Sequence, residues 1–303
     1  MEAFLAAVLV AATPFLFAGI GELVAERTGC LNLGVEGMML VGAVAAFAVT
    51  FTTGNPWAGI LAGALAGTAL ALIFVLVSVY MLANQTATGL ALTIFGIGAS
   101  GLAGQPYVGQ TVEPLAGISL PGISDVGSMG RVLFGQDPMV YAALVLCALV
   151  GFILKTTRLG LRLRAVGDNP VAAHAMGVNV RRVRALAVLF GGACAGLGGA
   201  YLSLIYTPMW GENMTAGRGW IAVALVVFAT WRPERLVAGA FLFAAFTQAQ
   251  FYGQDLGVAV PSQFLAMVPY LITIAALVLI SRNPAVARAN APASIGVAFN
   301  PNR

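Results

Sequence analysis

Side chains able to do chemistry are sparse in this sequence, and most sit at the edges of apolar runs. One group is Glu22, Glu26, Arg27, Asn32 and Glu36 at the edge of a charge-free stretch, where Gly34 and Gly37 offer a break in a helix. Ionisable groups in an apolar medium are costly, so they face a cavity or a partner. Asn32 and Glu36 are therefore candidates to line or gate a polar path. The competing expectation pairs Glu26 or Glu36 with Arg27 at a polar boundary. Thr93, Thr247, Gln248 and Gln250 lie deeper inside apolar segments. Their uncharged amides and hydroxyls suit a neutral polyhydroxy or nucleoside-like solute, whereas a charged one would call for fixed opposite charge; hydrogen bonding between helices is the alternative use.

Other chemistry is missing. The one histidine, His174, belongs to no HExxH pattern and has no plausible serine and acid partners, and the one lysine, Lys155, lacks the preceding glycines of a GxxxxGK[ST] phosphate loop. Cys30, Cys147 and Cys194 are too far apart for metal-ligand spacing or a disulfide framework and read as small packing residues. The chain is expected to be no enzyme, to hold no metal and to bind no nucleotide of its own.

The elements that must position these groups are membrane helices. Of 303 residues 60% are hydrophobic and 9% charged, with mean hydropathy +0.93, against about 25% charged in soluble domains. Apolar segments lie at residues 3–20, 37–53, 58–83, 89–104, 139–154, 185–206, 220–231, 236–252 and 264–281. The fold class is all-α: a polytopic transmembrane bundle of roughly nine spans (about 8–10), some broken or re-entrant. One membrane domain covers residues 1–282, and residues 283–303 read as a loose tail. The segment 220–231 is short of the ~17 residues that a crossing needs, so it is expected to be a broken helix or to extend into Gly217–Gly219. Glycines at four-residue spacing, such as Gly59, Gly63 and Gly67 or Gly192 and Gly196, let helices approach closely. The first apolar run has no basic residues before it and reads as a retained span.

Alternating the loops places all 15 Lys and Arg except Arg131 and Arg218 on one face. Basic residues are retained in the cytoplasm, which predicts an outer N-terminus and a cytoplasmic C-terminus. The net charge of +4 thus reflects topology, and no aromatic interleaving points to nucleic acid.

The loop 157–184 carries a second kind of chemistry, that of docking. Asn169 can cap a helix, Pro170 suits its first position and Gly177 the residue past its end. A helix of about two turns is implied, presenting Val171, Ala172, Ala173 and Met176 between basic clusters, a surface that fits a protein partner. A topogenic loop touching anionic lipid is the plainer alternative. The other long loop, 105–138, is rich in Pro and Gly and predicts an irregular, partly ordered cap.

The run GLRLRAVGDNPVAAHAMGV resembles the coupling loop of permeases from the branched-chain amino acid, simple sugar and nucleoside group of ATP-binding cassette importers. TGCLNLGVEGMMLVGA and GRGWIAVALVVFATWRPER are similar to two further segments of that group. The form of the Asn32 to Gly37 motif looks most like the sugar and nucleoside permeases. The resemblance implies a path subunit in a bacterial cytoplasmic (inner) membrane, with a second permease that is identical or homologous, an extracytoplasmic binding protein, and separate ATPase subunits that hydrolyse ATP with Mg. It assigns ATPase coupling to Asp168, Asn169, Pro170, Ala172, Ala173, Met176 and Gly177, while the path or gate is expected, from the polar side chains themselves, at Asn32, Glu36, Thr93, Thr247, Gln248 and Gln250. Arg131 and Arg218 are the expected docking contacts for the binding protein. Alternatives are a branched-chain amino acid permease of the same group, an ion-coupled secondary transporter, which the charge-free span centres disfavour, and a membrane-embedded enzyme.

Overall fold

The computed structural model describes residues 2–115, 117, 134–255 and 290–300, with a few single positions between 267 and 278. The described chain is helical: α1 (Glu2–Glu26), α2 (Val35–Thr53), α3 (Pro56–Phe74), α4 (Gln85–Gly104), α5 (Pro138–Thr156), α6 (Arg158–Asp168), α7 (Pro170–Ala175), α8 (Val180–Tyr201), α9 (Arg218–Phe228) and α10 (Pro233–Asp255). Single π-helical turns extend α3 over Val75–Tyr80 and α8 over Leu202–Tyr206. Among the described residues, six helices are long and apolar enough to cross a bilayer, and α9 is apolar but has only 11 residues. The expected span 264–281 lies almost wholly outside the described residues.

Helix starts are written locally. The side chains of Asn55, Asn84, Asp137, Thr157, Asn169 and Asn179 each accept a backbone N–H of the first turn, and prolines follow at positions 56, 138 and 170. With no apolar solvent difference to drive association in lipid, the helices hold together by close backbone approach. Gly63 and Gly67 of α3 lie against Ala200, Gly196 and Gly192 of α8, so those two helices run antiparallel in near backbone contact. Gly42 of α2 meets Gly196 from another side, and Gly21 of α1 meets Gly191 and Cys194. Thus α8 is the axis around which α1, α2 and α3 are arranged, with the three free cysteines buried. On the outside, α3, α4 and α5 expose Leu61, Leu65, Ile94, Leu102, Val145 and Phe152, an apolar surface suited to lipid or another membrane subunit.

Two expectations change. Residues 158–168, read as loop, form the amphipathic helix α6, with Gly160, Leu163, Val166 and Gly167 buried and Leu159 and Leu161 exposed. Residues 290–300, read as part of a loose tail, are folded against the bundle: Gly296 N–H donates to Gly29 O and Ser294 N–H to Gly167 O. A tail can be polar and aperiodic and still be tied down when its partners are backbone groups elsewhere in the chain.

Candidate functional site

The chain leaves α1 through a turn, residues 27–34, that bends back among the helices, with Arg27, Leu31 and Leu33 half-buried and the rest buried. Non-helical backbone at such depth must find its hydrogen bonds inside the protein. Glu22 Oε1 accepts from Asn32 N–H at 3.0 Å, Gln85 Oε1 accepts from Leu31 N–H at 2.8 Å, and Thr93 Oγ1 donates to Leu33 O at 2.9 Å. Asn32 turns on itself, its Oδ1 accepting from Gly34 N–H at 2.9 Å. This turn feeds α2, whose first residues lie beside the middle of α4: a Cβ on Gly37 would strike Leu92 and Thr93, and one on Gly96 would strike Gly37. So α2 starts partway along α4 rather than level with its end.

A second break lies between α8 and α9. Residues 207–217 re-enter from the opposite end, where Val108 pairs with Trp210 and Val112 N–H donates to Pro208 O. The segment ends on the first residues of α2. Glu36, only 3% exposed, accepts from Thr215 Oγ1 at 2.5 Å, Gly217 N–H at 2.8 Å and Gly219 N–H at 2.6 Å. The carboxylate thereby caps α9 from another helix, satisfying orphan donors where the helix dipole favours negative charge. Only glycine fits at 219, because a Cβ there would overlap the Glu36 backbone. From this joint α9 runs to the end of α1, where Trp231 Nε1 donates to Glu26 Oε2 at 2.5 Å and Arg27 Nε to Trp231 O at 3.0 Å. At about 1.5 Å per residue α9 spans about 16 Å, half of a ~30 Å hydrocarbon layer. Two short re-entries from opposite ends therefore meet at mid-depth on one carboxylate.

Arg27 pairs with neither Glu26 nor Glu36; its Nε and Nη1 donate to the carbonyls of Trp231 and Asn290. Burial draws its guanidinium below the ordinary value, helped by the Arg164 and Arg232 charges and opposed mainly by Asp168.

The end of the bundle bearing most of the basic residues carries α6 and α7. As expected, Asn169 caps α7, its Oδ1 accepting from Ala172 N–H at 2.9 Å, and Gly177 ends it with φ of 83°. Asp168, Asn169 and Ala172 are exposed, Pro170 is half-buried, and Val171 and Met176 stand out at 62% and 85% exposure. Ala173 does not belong to that surface. It is 6% exposed and faces inward onto Val166, Val180 and Phe299. Six residues contain too few repeats for sequence to fix which face is inward. Arg184, counted in a basic cluster, is buried as well and donates to Thr28 O, Val297 O and Ser294 Oγ.

The remaining candidates separate. Thr247 Oγ1 donates back to Phe243 O, and Gln248 Nε2 donates to Ala7 O of α1, which puts these residues and half-buried Gln250 toward the other end of α1, away from the joint. Arg218 lies at the start of α9 at mid-depth; its Nη1 donates to Met214 O and Thr215 O, and its guanidinium sits 5.4 Å from the Tyr206 ring centre. Arg131 lies outside the described residues. Gln85, Thr215 and Trp231 were not among the expected site residues. Gln85 is polar at a helix start beside an apolar run, a signal that was present; the other two are recognisable only through partners roughly 180 to 200 positions away.

The family model described as branched-chain amino acid transport system / permease component matches residues 4–277. The chain is similar to a putative glucose ABC transporter permease protein of Haloferax volcanii, 40% identical over 89% of each chain. It is also similar to a guanosine ABC transporter permease protein of Bacillus subtilis, 32% identical over 97% of this chain and 95% of the other. A nucleoside ABC transporter permease protein of Lactococcus lactis is 32% identical over 99% and 97%. With a helical membrane bundle, paired helix breaks and a capped surface helix in place, the match along nearly the whole length means that this chain belongs to the permease-component family of binding-protein-dependent ATP-binding cassette transporters.

Proposed function

We propose that the chain is the path-forming subunit of an importer in a cytoplasmic membrane, with α6 and α7 in the cytoplasm and the N-terminus outside. A separate ATPase binds and hydrolyses ATP with Mg and docks on α7; a second permease, identical or homologous, completes the path; and an extracytoplasmic binding protein delivers the solute. The observation that carries this reading is α7 itself: a helix capped at both ends that leaves Val171 and Met176 exposed on the basic face. Apolar side chains so presented favour a protein partner over lipid headgroups.

A neutral sugar or nucleoside is the favoured solute. The buried carboxylate nearest mid-depth, Glu36, is spent on three donors of its own chain and is not held ready for a cationic group of the solute. Relatives described as glucose, guanosine and nucleoside permeases support the same class. Asn32, Glu36 and Thr93 then serve the path by holding its broken helices in place.

The test replaces Met176 or Val171 by Glu in cells that also express the ATPase and binding protein. A charge forced into an apolar contact without a partner is costly, so co-purifying ATPase and uptake should fall about tenfold or more. Full retention of both would reduce α7 to a topogenic loop. Uptake assays with glucose and guanosine then decide between the two solute classes.

A further inference from the structure

The folded segment 290–300 touches the turn after α1, the end of α6, α7 and the start of α8. Asn290 O accepts from Arg27 Nη1 at 2.9 Å. Ser294 N–H donates to Gly167 O, and Ser294 Oγ donates to the same carbonyl at 2.7 Å while accepting from Arg184 Nη2 at 3.1 Å. Val297 O accepts from Arg184 Nη1 at 2.8 Å, and the same guanidinium donates through Nε to Thr28 O at 3.0 Å. Gly29 has φ of 85°, and a Cβ there would strike Ser294 Oγ, so the turn after α1 is shaped to receive the segment. Finally Phe299, 7% exposed, lies beneath α7 against Ala173 and Val180, with its ring edge-on to His174 at 5.6 Å.

Besides Phe299, α7 rests through Ala173 on Val166 and Val180. Its six residues are too few for intrinsic helical stability, and a cavity of about 350 Å³ opens beside it between His174, Asn179, Arg181 and Phe299. The Phe299 ring therefore fixes the height and tilt at which α7 stands.

We propose that residues 290–300 form a strap that positions α7 and ties it to the turn 27–34, so that a displacement of α7 is carried into the first helix break. Phe299 is the positioning residue, Arg184 and Ser294 the clamp. The proposal rests on the reading that α7 docks on the ATPase, and the two fail differently. The experiment uses the assembled complex of permease, ATPase and binding protein, with Phe299→Ala, Phe299→Leu, and a chain ending at Val297. Amide exchange of residues 171–178 should rise about tenfold or more in Phe299→Ala and in the shortened chain, with α5 unchanged. Solute carried per ATP hydrolysed should fall about fivefold while the ATPase still co-purifies, and Phe299→Leu should restore both. Unchanged exchange at α7 would overturn the strap, as would an unchanged ratio of solute to ATP. A Met176→Glu permease that keeps its ATPase would instead remove the docking reading and leave the exchange result standing.

Discussion

The two helix breaks solve one problem in opposite ways. The turn 27–34 is served by Glu22, Gln85, Thr93 and Arg184, side chains from three different helices, and by its own Asn32; each supplies it one hydrogen bond. The break at 207–217 gathers three of the hydrogen bonds at its inner end on Glu36, with Arg218 Nη1 adding bonds to the Met214 and Thr215 carbonyls, while Glu212, Asn213 and Ala216 stay exposed and Asn213 and Ala216 have positive φ of 53° and 46°. Distributed support makes the first break a fixed joint. Concentrated support, next to strained backbone, makes the second the place where the bundle can open.

The asymmetry predicts a ranking of mutational effects. Glu36→Ala should be the most damaging, because it strands two N–H groups and a hydroxyl at a buried helix start. At about 1–3 kcal/mol for each donor left unpaired, the loss is a large part of a membrane domain's margin. Thermal unfolding in detergent and recovery of assembled complex should both show it. Gln85→Ala strands only Leu31 N–H and should cost about 1–3 kcal/mol, lowering the unfolding midpoint while leaving a complex to purify. If it equals Glu36→Ala in effect, the first break is not distributed and the contrast fails. Thr93→Val should be mildest, about 1 kcal/mol, since it removes a hydroxyl donor and leaves the Leu33 carbonyl with a free lone pair. Measuring uptake beside stability sharpens the comparison: variants at the first break should lose the two in proportion.

How much of this was legible follows from the range of each interaction. The spans and the α7 caps rest on signals a few residues apart, Asn169 with Pro170 and Gly177 or Asn55 with Pro56, and the helices begin and end there. The shortness of α9 was legible for the same reason. The roles of Glu36 and Arg184 were not. A carboxylate at the start of an apolar run reads alike whether it lines a path or caps a distant helix, and its donors are about 180 positions away. Arg184 sits among Arg181 and Arg182 in a solvated-looking run, yet its partners Thr28 and Ser294 lie more than 100 residues off on either side. Phe299 is a lone aromatic in a polar tail, and only the folded chain brings it under Ala173.

The packing of Trp210 has an optical consequence. Its indole lies on Gly104 within a cluster of Ala43, Val44 and Phe47, 1% exposed, with an Nε1–H that meets no acceptor among the described residues. An indole in so dry a setting emits toward the blue and is shielded from water-borne quenchers, unlike exposed Trp57. Any withdrawal of the 207–217 segment would hydrate that ring and shift its emission to the red, so the chain carries a native fluorophore on the break that the comparison marks as the one that opens.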